Sequence, residues 1–187
     1  MAASVTRSRL ALAISLLLAT ALAKGAEVPP PAYQLIALPA GVPSEVLYSV
    51  ALQESGTRLR GQLVPWPWTL NVAGAGYRFA TRDDACSALQ VAIQTAGPKR
   101  VDAGLGQINI GWNGHRFDTP CDALDPYKNL AATAQILAEQ KAQGGDWITA
   151  AGRYHRPAGG EAAAKYRRAF ATHLSRVTGL TLLATNP

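Results

Sequence analysis

The spacing of apolar residues changes twice along this chain, and this restricts the fold more than any other sequence feature. A period near 3.6, typical of amphipathic helices, covers residues 45–54, about 82–95, 126–143, 147–154 and 161–176. Between the first two segments, Trp68, Leu70 and Val72 alternate with other residues, and the turn-like run AGAG follows. This pattern predicts a β-hairpin over residues 66–81. We therefore predict an α+β fold, mainly α, with a small β-hairpin inserted between its first helices.

The first 23 residues have the pattern of a cleavable secretory signal. Arg7 and Arg9 precede an apolar run over residues 10–20, and the small residues of the run ALA end at Ala23. The apolar run is short for a membrane-spanning helix, and no cysteine follows it for lipid attachment. We predict cleavage near Ala23, export to the periplasm and no stable membrane insertion afterwards. Loss of two arginines and no acid lowers the formal net charge from +6 to +4.

The remaining 164 residues are enough for one compact domain. Residues 24–43 contain five prolines and no clear period, which predicts an extended lead-in. Ser44 is a candidate N-cap for the first helix and Thr81 for the second. Asp125, followed by Pro126, and Asp146 are expected to begin the next two helices. We predict a domain over residues 44–178 and a C-terminal tail over residues 179–187.

Charge and cysteine content narrow the partners and the compartment. The mildly basic charge suits a polyanionic partner such as the cell wall, whereas the scattered Lys and Arg residues argue against nucleic acid. The two cysteines, Cys86 and Cys121, favour a structural disulfide in an oxidising compartment, although a pair of cysteines can also stay reduced. The chain-entropy model gives such a bridge about 4 kcal/mol of stabilisation.

Glu54 is the acidic residue with the most informative position. Leu47, Val50 and Glu54 fall within a narrow arc of the first helix, so Glu54 ends its buried stripe, while Glu45 points to the other side. A partly desolvated carboxyl keeps its proton more readily, as a general acid near neutral pH requires. The alternative is a solvent-exposed or capping glutamate, although an acid at a helix C-terminus opposes the helix dipole.

Four blocks in order resemble the signature of the SLT-type lytic transglycosylases of the lysozyme-like superfamily. They are ALQESG at residues 51–56, GLGQIN at residues 104–109, DPYKNL at residues 125–130 with IL at residues 136–137, and AAGRYH at residues 150–155. The long segment between the first two blocks, with PWPWTLNV at residues 65–72, is similar to the subgroup that accompanies conjugation and type IV secretion machinery. The resemblance implies a lysozyme-like domain, peptidoglycan glycan strands as substrate and secretion or conjugation proteins as possible partners.

The resemblance also implies a mechanism with one carboxyl group and no cofactor. Glu54 would protonate the glycosidic oxygen between N-acetylmuramic acid and N-acetylglucosamine. It would then accept the proton of the muramoyl C6 hydroxyl, which attacks the anomeric carbon and forms a 1,6-anhydro product. The sugar cleft would lie between the Glu54 helix and the segment that contains Gln107.

Six further residues are expected around the substrate. Ser55 would hydrogen-bond near the carboxyl or the sugar, with a helix-capping role as the alternative. Gln107 would contact an acetamido group or hydroxyl, with Ile108 beneath it and Asn109 following; the alternative is a buried glutamine satisfied by backbone. Tyr154 would direct its hydroxyl to Glu54, or else pack in the core. His155 stands where many family members have asparagine.

Two other functions stay open. A hydrolytic muramidase needs a second carboxylate, and the candidates are Asp83, Asp84 and Asp102. Asp83 and Asp84 suit the first turn of a helix, so Asp102 is the main hydrolase candidate. The other function is a wall-binding assembly factor without activity.

Other chemistry has little support in the sequence. His115, His155 and His173 lack metal-ligand spacing, so we predict no metal site, and the nucleophile motif Gly-x-Ser-x-Gly is absent. Trp66 and Trp68 are expected to pack within the hairpin, unless one of them stacks on a sugar.

Overall fold

The structure is a computed structural model that describes residues 26–180. The predicted signal peptide at residues 1–23 and residues 181–187 of the predicted tail lie outside the described residues. The fold class is as predicted, because the described chain is mainly helical with small antiparallel sheets. Its helices are α1 Pro31–Ala37, α2 Ser44–Ser55, α3 Arg82–Ala96, α4 Ile110–Asn113, α5 Pro126–Ala142, α6 Trp147–His155 and α7 Gly160–Thr178.

The main hydrophobic core surrounds α2. Leu47, Val50 and Ala51 of this helix are fully buried, and they pack in one cluster with Leu137 of α5 and Phe170 of α7. Because α2 is covered on nearly every side, its residues Val46–Leu52 are all buried, polar Ser49 included. The helix that carries Glu54 is therefore the central element of the helical part and a rigid support for a site at its end.

Two antiparallel sheets follow α2 in the chain. Strands β1 Gly56–Leu59 and β2 Gln62–Pro65 form a separate hairpin. Strands β3 Thr69–Val72, β4 Ala75–Arg78, β5 Val101–Ala103 and β6 Ile108–Asn109 form a sheet in the order β4-β3-β5-β6. The register pairs Leu70 with Tyr77 and with Ala103 on its two sides.

A second hydrophobic cluster lies between the four-stranded sheet and α3. Leu70, Leu89, Val101 and Leu124 are its large, fully buried members. Cys86 on α3 forms the predicted disulfide with Cys121, with Cα atoms 5.2 Å apart. The disulfide joins α3 to the 3-10 turn Pro120–Leu124, which also contributes to this cluster.

Two local predictions were wrong, and one element was missed. The segment predicted to be an extended lead-in contains α1. Pro31 occupies the first turn of this helix, where the backbone N–H that proline lacks would have no helical partner. Tyr33 and Ala37 of the helix are buried in the core. Ser44 is the first residue of α2 rather than its cap, since the Pro43 carbonyl accepts the first helical hydrogen bonds. The hairpin β1–β2 was not predicted at all.

The other predicted helix starts are confirmed. The Thr81 hydroxyl accepts the amide of Asp84, Asp125 accepts the amides of Tyr127 and Lys128, and Asp146 accepts that of Thr149. The predicted hairpin over residues 66–81 corresponds to β3 and β4, with a tighter turn at residues 73–74.

Over residues 26–180, no single helix is long and apolar enough to cross a membrane. The helical segments Pro31–Ala40 and Ser44–Ser55 are together long and apolar enough, but the chain bends by 116° between them.

Candidate functional site

A cavity of about 320 Å³ lies between the helical core and the four-stranded sheet. The helical side supplies Glu54 from α2, Ile136 from α5, and Tyr154 and His155 from α6. The opposite side consists of residues from β3, β5, the loop before β6, β6 itself and α4. These residues are Asn71, Asp102, Gln107, Ile108, Asn109, Trp112 and Asn113. The cavity therefore contains all the predicted site residues except Ser55.

Glu54 has the most strongly perturbed carboxyl group at this cavity. It is the penultimate residue of α2 and is only partly exposed. The pKa of Glu54 is raised from 4.5 to about 8, mainly by burial; the Tyr166 hydroxyl opposes the increase, and the nearby negative charge of Asp102 adds to it. A group with this pKa is mostly protonated at pH 7, which is the state that a general acid needs before it reacts.

Tyr166 on α7 is a neighbour of Glu54 that the sequence did not indicate. It is 5% exposed, and its hydroxyl has no hydrogen-bond partner of good geometry among the described residues. Its hydroxyl nevertheless interacts with the Glu54 carboxyl, and burial together with Glu54 holds the pKa of Tyr166 well above its ordinary value. The hydroxyl is therefore a buried donor placed to stabilise the carboxylate that forms when Glu54 gives up its proton.

Replacing Tyr166 by Phe should raise the pKa of Glu54 above about 8, because the Tyr166 contact lowers that pKa in the native protein. The pH at which the Glu54 carboxyl titrates should therefore move upward. A ¹³C NMR titration of that carboxyl in Tyr166→Phe against wild type measures the shift. An unchanged midpoint would show that the Tyr166 hydroxyl has no influence on the acid.

The segment opposite Glu54 is held by a buried asparagine on α5. Asn129 is fully buried, and its side chain donates to the carbonyls of Ala103 and Ala123 and accepts the amide of Gly106 at 2.8 Å. Gly104, with φ of 82°, has no room for a Cβ because Asn129 lies against it. The GLGQ run is thus fixed in position by side-chain contacts rather than by regular secondary structure.

Gln107, Ile108 and Asn109 line the cavity. The amide side chains of Gln107 and Asn109 also hydrogen-bond to nearby backbone groups. The Gln107 amide NH₂ donates to the carbonyls of Thr69 and Gly104, which leaves the amide oxygen as the group able to meet a ligand. Ile108 is buried at the cavity wall. Asn109 donates to Asp102 and to the Lys99 carbonyl, and its Oδ1 accepts two amides at the start of α4.

Two predicted side-chain roles differ from the structure. Ser55 is fully buried away from the cavity, with its hydroxyl 2.8 Å from the Leu105 carbonyl and 3.0 Å from the Ala51 carbonyl. It ties α2 to the Gln107 segment and has no access to a ligand. The Tyr154 hydroxyl donates to the Gly106 carbonyl at 2.5 Å rather than to Glu54, because the facing backbone offers a closer acceptor.

His155 and Asp102 form a second pair of ionisable groups at the cavity. His155 is exposed and stacks on Tyr166, with ring centroids 4.6 Å apart. Burial raises the pKa of Asp102, while Asn109 and His155 lower it. Desolvation lowers the pKa of His155, and Asp102 raises it. Asp102 is therefore the second carboxyl of the cavity, whereas Asp83 and Asp84 lie exposed on the first turn of α3.

The tryptophans of the hairpin region play the expected packing role. Trp66 and Trp68 pack edge to face at 6.0 Å, and the Trp66 indole donates to the Phe79 carbonyl. Neither is among the residues that line the cavity. Within residues 26–180, no group of three His, Cys, Asp or Glu side chains is placed to hold a metal ion.

No protein-family model, no curated protein and no solved structure matches the chain.

Proposed function

We propose that this chain is a glycan-cleaving enzyme with a lysozyme-like fold, whose substrate is the peptidoglycan strand. The observation that carries the proposal is the protonated Glu54 carboxyl at the wall of a cavity of about 320 Å³. A proton donor that is charged only above about pH 8 suits protonation of a glycosidic oxygen. The amide groups of Asn71 and Asn113 and the free amide oxygen of Gln107, at the same cavity, suit the hydroxyl and acetamido groups of amino sugars.

More specifically, we propose a lytic transglycosylase that cleaves the bond between N-acetylmuramic acid and N-acetylglucosamine. Glu54 transfers its proton to the glycosidic oxygen, which leaves as the 4-hydroxyl of N-acetylglucosamine. The resulting carboxylate, stabilised by the Tyr166 hydroxyl, accepts the proton of the muramoyl C6 hydroxyl. The C6 oxygen then bonds to the anomeric carbon, so the 1,6-anhydro ring closes without consuming water and Glu54 ends protonated.

Asp102 supports a second candidate function, a hydrolytic muramidase. It lines the same cavity as Glu54, and the two carboxyl groups are close enough for the charge of Asp102 to raise the pKa of Glu54. In hydrolytic glycosidases a second carboxylate activates water or attacks the anomeric carbon. The transglycosylase remains the preferred proposal, because Asp102 is itself partly buried and its pKa is raised by that burial.

The cellular setting is part of the proposal. Export through the signal peptide at residues 1–23 would bring the chain to the periplasm, where its substrate lies. The Cys86–Cys121 disulfide is consistent with an oxidising compartment. Local opening of the wall for a conjugation or secretion apparatus is proposed on the sequence resemblance alone.

Digestion of purified sacculi in H₂¹⁸O distinguishes the possibilities. The transglycosylase should release muropeptides that end in 1,6-anhydro-N-acetylmuramic acid, lighter by one water than reducing-end products and free of ¹⁸O. Products with ¹⁸O-labelled reducing ends, detected by mass spectrometry, would instead identify a hydrolase. Equal wall binding by wild type and Glu54→Gln, with no product from either, would show a non-catalytic binding factor.

A further inference from the structure

The cleft continues beyond the cavity that contains Glu54. A second cavity of about 430 Å³ extends towards Arg153 and Pro157. The two cavities share six lining residues, namely Asn109, Trp112, Asn113, Ile136, Tyr154 and His155. They therefore form one continuous groove, and Trp112 lies where they meet.

Trp112 is unusually exposed for a residue at such a junction. Its exposed fraction is 64%, although tryptophan is the side chain with the most apolar surface to bury. Leu70 and Val101 of the neighbouring sheet are buried, whereas Tyr77 on its edge strand β4 is 50% exposed. A solvated indole ring beside a groove is a feature of ligand sites rather than of packing.

The backbone beneath Trp112 is fixed in place. The Asn109 side chain accepts the amides of Gly111 and Trp112, which anchors the short helix α4. Gly111 approaches Lys99 so closely that a Cβ atom would collide with the Lys99 backbone. The Lys99 ammonium lies 4.1 Å from the centroid of the indole ring. The backbone that carries the ring is therefore fixed, and the Lys99 contact covers one face of the indole.

The two faces of the ring have different surroundings. Lys99 covers one face, and Lys99 is not among the residues that line either cavity. Because Trp112 lines both cavities, the face away from Lys99 is the one left for a ligand in the groove. The neighbouring polar groups are the Asn113 amide, Glu139, which pairs with Arg116 at 2.7 Å, and Arg153, which donates to two backbone carbonyls. An exposed aromatic face among polar groups suits a ring that is apolar on its face and polar at its edges, which describes a pyranose.

We propose that Trp112 is the platform of a second sugar subsite, on which an N-acetylhexosamine ring of the bound glycan stacks. This inference rests on the proposed function, because the stacked ring belongs to the same strand whose linkage reaches Glu54. The subsite lengthens the stretch of glycan that the enzyme recognises and fixes the register of the strand relative to the acid.

Calorimetric titration with chito-oligosaccharides of two to six N-acetylglucosamine units tests the subsite. The full chain with Glu54→Gln serves as the parent, so that the probes are not cleaved. Addition of Trp112→Ala should weaken binding of the six-unit oligomer by about tenfold, a loss typical of one aromatic stacking contact. Trp112→Phe should keep most of the affinity. Tyr127→Ala removes a similarly exposed aromatic side chain outside both cavities and should leave the affinity unchanged.

The inference would be overturned if Trp112→Ala bound the six-unit oligomer with an affinity within twofold of that of the parent. It would also be overturned if Tyr127→Ala lost as much affinity, or if the parent did not bind the oligomer. Denaturant midpoints of the variants should match, because Trp112 is exposed, and this excludes misfolding as the cause of a loss. Sacculus digestion by wild type tests the proposed function separately. If sacculi are digested but Trp112→Ala binds normally, the subsite fails while the function stands. If sacculi are left intact but the tenfold loss is found, the subsite stands and the function fails.

Discussion

Glu54→Gln is expected to reduce sacculus cleavage by about a thousandfold or more, since general acid and base catalysis each contribute about 10²- to 10⁴-fold. Glutamine has nearly the same shape and keeps the contacts of the side chain with the cavity wall. It cannot transfer a proton to the glycosidic oxygen or accept one from the C6 hydroxyl, so both halves of the proposed reaction fail. Release of soluble muropeptides from purified sacculi, followed over time, measures the loss.

Glu45→Gln is the matched control for this substitution. Glu45 lies on the first turn of the same helix, away from the cavity, and its replacement should leave the rate of cleavage unchanged. For wild type, activity should be present at neutral pH and decline as the pH rises through about 8, because Glu54 then loses the proton it must donate. A Glu54→Gln protein that cleaves at more than a tenth of the wild-type rate would contradict the assignment.

Asn129→Ala is expected to lower the free energy of unfolding by about 3 to 5 kcal/mol, as buried polar groups that lose their partners each cost about 1 to 3 kcal/mol. The substitution leaves the carbonyls of Ala103 and Ala123 and the amide of Gly106 without their partner. It also empties the space against Gly104. Chemical denaturation monitored by circular dichroism measures the change.

Activity of Asn129→Ala should fall together with stability, because the Gln107 segment loses the side chain that holds it opposite Glu54. Gln143→Ala, an exposed amide just after the end of the same helix, is the control and should change stability by less than about 0.5 kcal/mol. A loss below about 1 kcal/mol in Asn129→Ala would show that the surrounding backbone finds other partners.

Much of the helical architecture followed from local patterns. Thr81, Asp125 and Asp146 begin helices as their side chains predict, because N-capping is a local interaction within three residues. The buried stripe of α2 placed Glu54 at the end of a core helix in the same way. Strand pairing was harder to foresee. The hairpin β1–β2 is half exposed and its residues show no clear alternation, so the sequence carried little signal for it.

The site itself depended on tertiary contacts that sequence reasoning does not supply. Tyr166 reaches Glu54 from a helix more than a hundred residues later in the chain, and no local pattern marks it. Tyr154 was expected to face Glu54 and instead binds the Gly106 carbonyl, a choice made by the path of the backbone after β5. Asn129 belongs to the block DPYKNL, but no role was predicted for its side chain, which is fully buried and holds the Gln107 segment.

Titration of the Glu54 carboxyl by ¹³C NMR tests the central claim most directly. In protein labelled with [δ-¹³C]glutamate, the signal that disappears in Glu54→Gln identifies the residue, and its chemical shift can be followed against pH. The structure predicts a midpoint near 8, where burial keeps the carboxyl protonated at neutral pH. A midpoint near the ordinary value of 4.5 would mean that Glu54 is ionised and solvated at pH 7, and the proposed acid would be the wrong residue.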